Sequence, residues 1–479
     1  MGNRHVSGAL ALLLAAPGYG AVAAETAGTA AAGRSGEPML EEVLVSATRR
    51  VESLQDVPMS VSAFSWDFFQ DAGVNSLADL EQYTPNLRID TATDSRSTVI
   101  RIRGIGSVGS NSGVDPSVGV FIDGVYQGRA GMSVGDLVDV QRVEVLRGPQ
   151  GTLYGKNTSA GAISVVTHLP SADPVSMIEV GYNSNEQAEL RGLINLPLGD
   201  SGHAVRFSGF GIEGDHRFEN PVSGQGLNNA RKYGGRGRML LGLDRFGEGG
   251  LPGRLIVSAD YTREDTDCCA FAVINYDGLS PLNAPSTAAA SAELQAELGD
   301  NALGQPILSY NAFEDSHGFS PPAADPFDED YWFDDDLSNE VSVGGLAIEW
   351  QNELASGAGI DFINAWRHYT SDSAFDGDFT AYNAVSSQTE VELDQFSSEL
   401  RLTSPAGGVL EYQGGLYAFY SRFDSVGTFT QQPDLVHNVS IGPGLTLGNI
   451  FPDGTTNDYS NDYTTTSLAA YGQVVWNYS

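Results

Sequence analysis

The sequence is short of positive charge. Its 479 residues carry 25 lysines and arginines against 61 aspartates and glutamates, a formal net charge of -36. Nucleic acid is therefore excluded as a partner, because neutralising phosphates needs a basic face. Cysteine is almost absent: the only two, Cys268 and Cys269, are neighbours, so no disulfide framework marks a small secreted scaffold. This pair can close only a strained bridge, bond another molecule or stay free, and no histidine or further cysteine beside it completes a metal site. The seven histidines are scattered and no nucleophile elbow occurs, so no catalytic residue, cofactor or enzyme activity is expected. Long apolar runs are lacking too. Residues 9–16 (ALALLLAA) are too few to cross a bilayer as a helix, and nothing later is longer and as apolar. Any insertion into a membrane must then be through a closed β-barrel.

What is present favours β structure in more than one domain. Hydrophobic content of 41% can fill a large core, and 57 glycines with 9% aromatics accompany few helical patterns. The apolar run at 9–16 follows Arg4 and His5 and precedes Ala21-Val22-Ala23, a small-x-small cleavage pattern, which makes residues 1–24 an export signal peptide. Residues 25–40, rich in Ala, Gly and Thr, predict a flexible linker. Residues 57–61 read as a strand that begins at a proline. Ser65 caps a short helix to Gln70 that Gly73 ends, and Ser76 with Asp79 opens a second helix over 77–83, stopped before Pro85.

Two stretches look like phosphate-binding loops and fail on context. Gly104, Gly106 and Gly109 match G-x-G-x-x-G after a strand, with Asp123 lying 19 residues beyond Gly104. That fingerprint needs a following helix to receive the pyrophosphate, and 110–117 (SNSGVDPS) contains Gly113 and Pro116 instead. Residues 151–158 miss the Walker pattern, since Gln150 stands where the first glycine should be and Asn157 follows Lys156. The region reads better as strands and loops: 119–122 lead into Asp123-Gly124 and Val125-Tyr126, the two-residue signal for a tight hairpin.

The most specific stretch is 139–167, DVQRVEVLRGPQGTLYGKNTSAGAISVVT. Val140, Val143, Val145 and Leu146 make an apolar strand that Arg147-Gly148-Pro149 stops. Gly151, Gly155 and Gly161 keep the connection tight until 162–166 forms a second strand. The stretch resembles the end of the plug domain of TonB-dependent outer-membrane receptors. That resemblance implies a mixed α/β plug domain at 49–169, followed by an antiparallel transmembrane β-barrel. Residues 41–48 alternate and resemble a TonB box, with Glu42, Val43, Leu44, Val45, Ser46, Ala47 and Thr48 adding a strand to an edge of the partner; the other reading of the same residues is the first plug strand. Too few residues precede them for an extra signalling domain. The resemblance also implies that Arg103 and Arg147 pair with glutamates on the barrel wall, with Glu399 as the partner of Arg147. Ligand contacts are expected at the loop tips 91–97, 107–115 and 127–133, from Arg96, Ser107, Asn111, Asp115, Gln127 and Arg129.

From 170 to 479 the texture is that of repeated strands, starting near Val175, Ala188, Ala204, Gly234, Arg254, Glu340, Gly359, Val391, Val409 and Thr466. Leu255, Val257, Ala259 and Tyr261 alternate with Ile256, Ser258, Asp260 and Thr262, and in 396–402 the alternation puts Glu399 and Arg401 on the lumen face. A short turn at 198–202 against the long loop 264–338 suits periplasmic turns and extracellular loops, whereas a soluble β-sandwich or adhesin would show no such asymmetry. Residues 314–336 hold nine acids and no lysine or arginine. They read as a solvated face, or as a site for divalent ions bridging lipopolysaccharide or for a cationic ligand; Tyr331-Trp332-Phe333 suit a membrane interface or a ligand. About ten strands against the 22 of plugged transporters, with the last still open at 474–479, predict a fragment that cannot seal a transporter alone. The resemblance implies a receptor in the outer membrane of a Gram-negative bacterium, monomeric when complete and surrounded by lipid and lipopolysaccharide. Its expected partners are TonB with ExbB and ExbD, and its ligand a ferric siderophore. Carbohydrate or cobalamin uptake is the alternative, and a non-transporting adhesin or porin the alternative of another class.

Overall fold

The computed structural model describes residues 44–267 and 337–477, apart from 51, 92–96, 108–113, 134–136, 185, 200–201, 221–223, 244–252, 377–384, 432–439, 443–444 and 447–454. The expected signal peptide and linker, Glu42, Val43, Arg96, Asn111, the two cysteines and the acidic stretch 314–336 lie outside the described residues. Among the described residues no helix is long and apolar enough to cross a membrane.

The N-terminal domain is a small mixed fold. Strands β1 (Leu44–Val45) and β2 (Glu52–Ser53) form an antiparallel pair. After β3 (Val61–Ser65) comes α1 (Trp66–Ala72), with Ser65 Oγ accepting from the Phe68 amide and Gly73 closing it at φ 66°. Ser76 and Asp79 cap each other as expected, but the element they open is a 3₁₀ turn, Ala78–Gln82, because Pro85 leaves no room for a full helical turn beyond it. Then follow the hairpin β4 (Leu87–Asp90) with β5 (Val99–Ile102), β6 (Val118–Ile122), β7 (Val125–Gln127), β8 (Val140–Arg147), the single turn α2 (Gly151–Tyr154) and β9 (Gly161–Thr167). The central sheet has the order β3-β8-β9-β6-β7, with β6 and β9 parallel and the other pairs antiparallel. Asp123 and Gly124 form the β6–β7 turn at φ 48° and 83°, the doubly left-handed geometry of a tight hairpin. Strands β8 and β9 are buried on both faces, which is why they read as continuous apolar runs.

The remainder is one antiparallel sheet of ten strands, here called the wall. Its members are β10 (Val175–Tyr182), β11 (Gln187–Pro197), β12 (Ala204–Gly214), β15 (Ala230–Gly242), β16 (Arg254–Thr266), β17 (Ser338–Glu353), β18 (Gly359–Asp376), β19 (Val385–Thr403), β20 (Leu410–Gln431) and β23 (Thr455–Trp476), each paired with its neighbour in the chain. Two small hairpins, β13 (Phe218–Glu219) with β14 (Gly226–Leu227) and β21 (Ser440–Gly442) with β22 (Leu445–Thr446), stand in the connections. Four predicted starts coincide with the observed ones: Val175, Ala204, Arg254 and Gly359. The strands expected from Val391 and Thr466 begin earlier, at Val385 and Thr455, because their first residues are polar on both faces and carry no alternation.

Alternation decides which face meets what. On β19, Gln395, Glu399 and Arg401 are buried on the inner face while Phe396, Leu400 and Leu402 are exposed on the outer one. The inner face meets the N-terminal domain: Met132 packs with Val343, Tyr369, Leu393 and Phe423, and Val125 with Ile363 and Ala365. The outer face carries uncovered large apolar groups on nearly every strand, among them Ile178, Phe207, Tyr261, Trp366 and Leu468. A sheet that is apolar outside and polar inside suits surroundings of hydrocarbon.

Candidate functional site

Two charged contacts between the domains run from wall arginines to aspartates of the N-terminal domain. Asp139, held at φ 60° just before β8, accepts from Arg206 on β12 at both oxygens: Nε to Oδ2 at 2.7 Å and Nη2 to Oδ1 at 2.5 Å, with both side chains buried. Asp123, in the β6–β7 turn, accepts from the Thr167 amide at 2.8 Å and its hydroxyl at 2.7 Å. Arg238 on β15 lies 3.5 Å from the same carboxylate and donates to Thr167 Oγ1 at 2.6 Å. Arg206 and Arg238 are directly opposite in the sheet register, so two like charges stand side by side and each needs an acid. Burial acts to raise the Asp123 carboxyl, but Arg238, Arg236 and the Thr167 hydrogen bonds outweigh it and hold the group below its ordinary value. Burial, together with Arg206 and Arg238, keeps the neighbouring His168 below its ordinary value against the pull of Asp139.

This arrangement corrects the expected anchors. Arg147 donates to the Pro85 carbonyl at 3.5 Å, and its Nε is buried without a partner. Arg103 is exposed in a turn at φ 55°. Neither forms an ion pair with a wall carboxylate among the described residues. Glu399 does face inward, but its partners are in the wall: Arg401 of the same strand, with Nη2 at 3.2 Å, and the Tyr471 hydroxyl of β23. With Arg401 beside it, its charge does not call for Arg147. The residues that do anchor, Arg206 and Arg238, had one readable signal, inward-facing arginines on adjacent strands of a chain poor in cations.

Residues 44–48 are docked. Strand β1 pairs with β2, and Val45 and Ala47 are fully buried in a cluster with Phe121, Leu146, Tyr154 and Phe419. The Ser46 amide and hydroxyl donate to Glu144 Oε1 at 2.7 and 3.0 Å, and Gln413 of the wall donates to the Thr48 carbonyl at 2.9 Å. Two arginines then fasten the segment. Arg49 lies 4.2 Å over the Tyr154 ring, and Arg50 reaches Glu411 at 3.2 Å and the Tyr412 carbonyl at 2.6 Å. Adjacent arginines directly after the alternating segment are the sequence signal for this tie in a chain poor in cations.

Of the expected ligand residues, Ser107, Asp115, Gln127 and Arg129 are among the described ones. Ser107 bonds Ser117 at 2.7 Å, and Asp115 is exposed, 3.8 Å from Lys156. Burial lowers the Lys156 ammonium, with Asp115 opposing it. Gln127 is a correction: it is buried, donating to the Val125 carbonyl at 3.0 Å, and presents nothing to solvent. Arg129, half-buried, lies 4.6 Å over the Phe423 ring and bonds the Tyr463 hydroxyl, and so joins the two domains.

Comparison with known proteins places this geometry. Residues 53–162 match the family model of the TonB-dependent Receptor Plug Domain. The chain is 34% identical over 164 residues to the pesticin receptor of Yersinia enterocolitica, covering 34% of this chain and 24% of the relative. It is 29% identical over 154 residues to the vitamin B12 transporter of Vibrio vulnificus, covering 31% and 24%. The matches thus span about a quarter of these relatives' length. Among solved structures, the ferric yersiniabactin uptake receptor of Yersinia pestis superposes with a TM-score of 0.59 at 18% identity, over 87% of this chain and 61% of that one. The ferripyoverdine receptor of the Pseudomonas aeruginosa outer membrane gives 0.60 at 17% identity, over 90% and 51%. These two likenesses speak for the fold. Residues 53–162 are thus a TonB-dependent receptor plug domain, and the chain has the fold of these outer-membrane receptors, a plug joined to ten strands of wall.

Proposed function

We propose that this chain serves energy-coupled uptake of a ferric siderophore through the outer membrane, driven by TonB with ExbB and ExbD, and that it catalyses no reaction. The observation that carries the reading is the docked segment 44–48, tied to both plug and wall by Glu144, Gln413 and Arg50. Strand addition to a partner needs a free backbone edge. Here Val45 and Ala47 are buried and the Ser46 amide is bonded to Glu144, so TonB can engage the segment only after these contacts open. Force on the segment would then pass first to Glu144 in the plug sheet and to the wall at Glu411. A relative described as a ferrioxamine B receptor supports an iron-chelate ligand. Two relatives described as vitamin B12 transporters keep cobalamin as the second reading.

The test is growth on a single ferric chelate, and separately on cobalamin, with the native gene and with Leu44→Pro. Leu44 is the exposed residue of β1, so proline there removes strand addition with little loss of packing. Uptake should fall while ligand binding to cells persists. Uptake unaffected by Leu44→Pro would remove this segment from the coupling step.

A further inference from the structure

Between plug and wall lies a cavity of about 70 Å³ whose two sides differ in kind. The plug side is mainly apolar, with Leu77, Ile122, Met132, Val140 and Val165; its Ser133 hydroxyl donates to the Ala130 carbonyl and so keeps its proton off the cavity. The wall side is charged, with Lys232 and Arg236 of β15, Asp260 and Glu264 of β16 and Arg367 of β18. Charge enclosed against an apolar surface costs free energy unless each group has a partner, because nothing else there replaces its hydration.

The pairing is complete but for one group. Of the inward-facing cations that stand against the plug on β12, β15 and β18, Arg206 has Asp139, Arg238 has Asp123, Lys232 has Glu264 at 3.3 Å and Arg367 has Asp260. Arg236 is left over: half-buried, it forms no ion pair or hydrogen bond among the described residues. Asp260 stands directly opposite it in the register, but both oxygens of that carboxylate accept from Arg367 Nη1, at 2.6 and 2.8 Å. Arg367 reaches Asp260 across β17 by passing over Gly345, where a Cβ would stand 2.7 Å from Nη1. Asp123, the other carboxylate that feels Arg236, is taken up by Arg238 and Thr167. One free carboxylate is therefore missing from the set, and a second donor is idle: Arg367 is buried and its Nε has no partner. The Thr262 hydroxyl, also on the cavity, makes no hydrogen bond among the described residues.

We propose that Arg236 and Arg367 bind a small oxyanion, of the size and charge of inorganic phosphate, in the cavity between plug and wall. A guanidinium offers a planar fork that matches two oxygens of such an anion. The idle Arg367 Nε adds a donor that Asp260 holds in place, and Thr262 can add its hydroxyl. Size decides against the transported ligand: pockets for small organic molecules run to roughly 300–1,000 Å³. The cavity here has room for a few water molecules, which suits a small anion and excludes an iron chelate. Because the plug forms the apolar half of the cavity, the site is closed only while the plug is seated, and the anion stabilises the docked plug by binding that state alone.

The receptor, extracted from its own outer membrane in mild detergent and dialysed against a bulky sulfonate buffer, is titrated calorimetrically with inorganic phosphate. One phosphate per chain is expected, bound more weakly by about tenfold or more in Arg236→Gln, the loss that goes with a hydrogen bond to a charged group. Arg231→Gln removes the same charge from an exposed position on the same strand and should bind as the native chain does. In a second arm, which needs no variant to fold, protease cleavage of the native plug is followed as phosphate is added. Cleavage should slow, by about a hundredfold when phosphate stands at a hundred times its dissociation constant, and should not respond to the sulfonate at equal ionic strength. Absence of phosphate binding, or equal affinity in the native receptor and Arg236→Gln, overturns the site. A loss of the same size in Arg231→Gln overturns it too, and means an adventitious ion only. Cleavage indifferent to phosphate overturns the link to docking.

Discussion

Arg206 of the wall grips Asp139 of the plug through two parallel hydrogen bonds, and both side chains are buried. The pair is the most enclosed charge contact between the two domains, and its geometry is the fork-to-fork match that gives arginine–carboxylate pairs both strength and direction. Removing one partner leaves the other charged and buried, so Arg206→Gln or Asp139→Asn should weaken plug docking by about 3–5 kcal/mol. Limited proteolysis of the plug in the detergent-extracted receptor reads this. The double variant should cost less than the sum of the singles, because the two positions share one interaction. Additive losses would mean that the two side chains act separately.

Asp123 makes docking sensitive to acid. Its carboxyl lies below the ordinary 3.8 despite burial, because of Arg238, Arg236 and Thr167. A carboxylate depressed in the folded state adds stability that is fully present above its unfolded value and is lost as pH falls through its folded value. Docking should therefore hold from neutral pH down to about 4, then weaken below that. Asp123→Asn should be less protected at pH 7 and lack this acid-side loss. Plug amide exchange measured from pH 7 to strong acid checks it, and identical acid profiles in both proteins would contradict it.

Gly161 begins β9 where two backbones meet closely. A Cβ there would stand 2.4 Å from the Leu146 carbonyl oxygen and 2.6 Å from Ile102 Cδ1. The carbonyl belongs to a paired strand and cannot withdraw without breaking the β8–β9 ladder. Gly161→Ala should destabilise the plug by about 1–3 kcal/mol, read as faster exchange of the β8 amides. By contrast, Gly151→Ala, whose Cβ would meet nothing within 4 Å, should be near neutral.

The wall was legible because its physics is local: each crossing strand alternates between hydrocarbon and interior, and that period of two is written residue by residue. Where a strand starts in polar sequence on both faces, as in 455–465 of β23, the boundary vanished from the pattern. The hairpin at Asp123-Gly124 was equally local. The anchors were not. Asp139 and Arg206 are 67 positions apart, and nothing near either names the other. Arg147 drew attention through its place in the Arg-Gly-Pro motif, but which strand a side chain faces depends on how two domains dock. The docked state of 44–48 was open between two readings for the same reason: alternation describes a strand without saying whose edge it joins.

Arg50 should govern how readily 44–48 is released. Its guanidinium joins Glu411, the Ser404 hydroxyl and the Tyr412 carbonyl, three wall groups at the turn between β19 and β20. With Gln413 on the Thr48 carbonyl, it ties the chain to the wall immediately after the docked strand. Arg50→Ala removes the charged part of that tie and leaves the Ser46–Glu144 bonds and the Val45 and Ala47 packing in place. Local opening should become easier by about 1.5–3 kcal/mol, the range for hydrogen bonds to a charged group, which corresponds to roughly tenfold to 150-fold faster exchange of the Ser46 amide. Amides of β8 and β9 should not change, since the plug sheet keeps all its bonds. If β8 and Ser46 accelerate together, Arg50 holds the whole plug rather than the segment; if neither changes, release is limited by Glu144 and the buried Val45, and the wall contact is incidental to it.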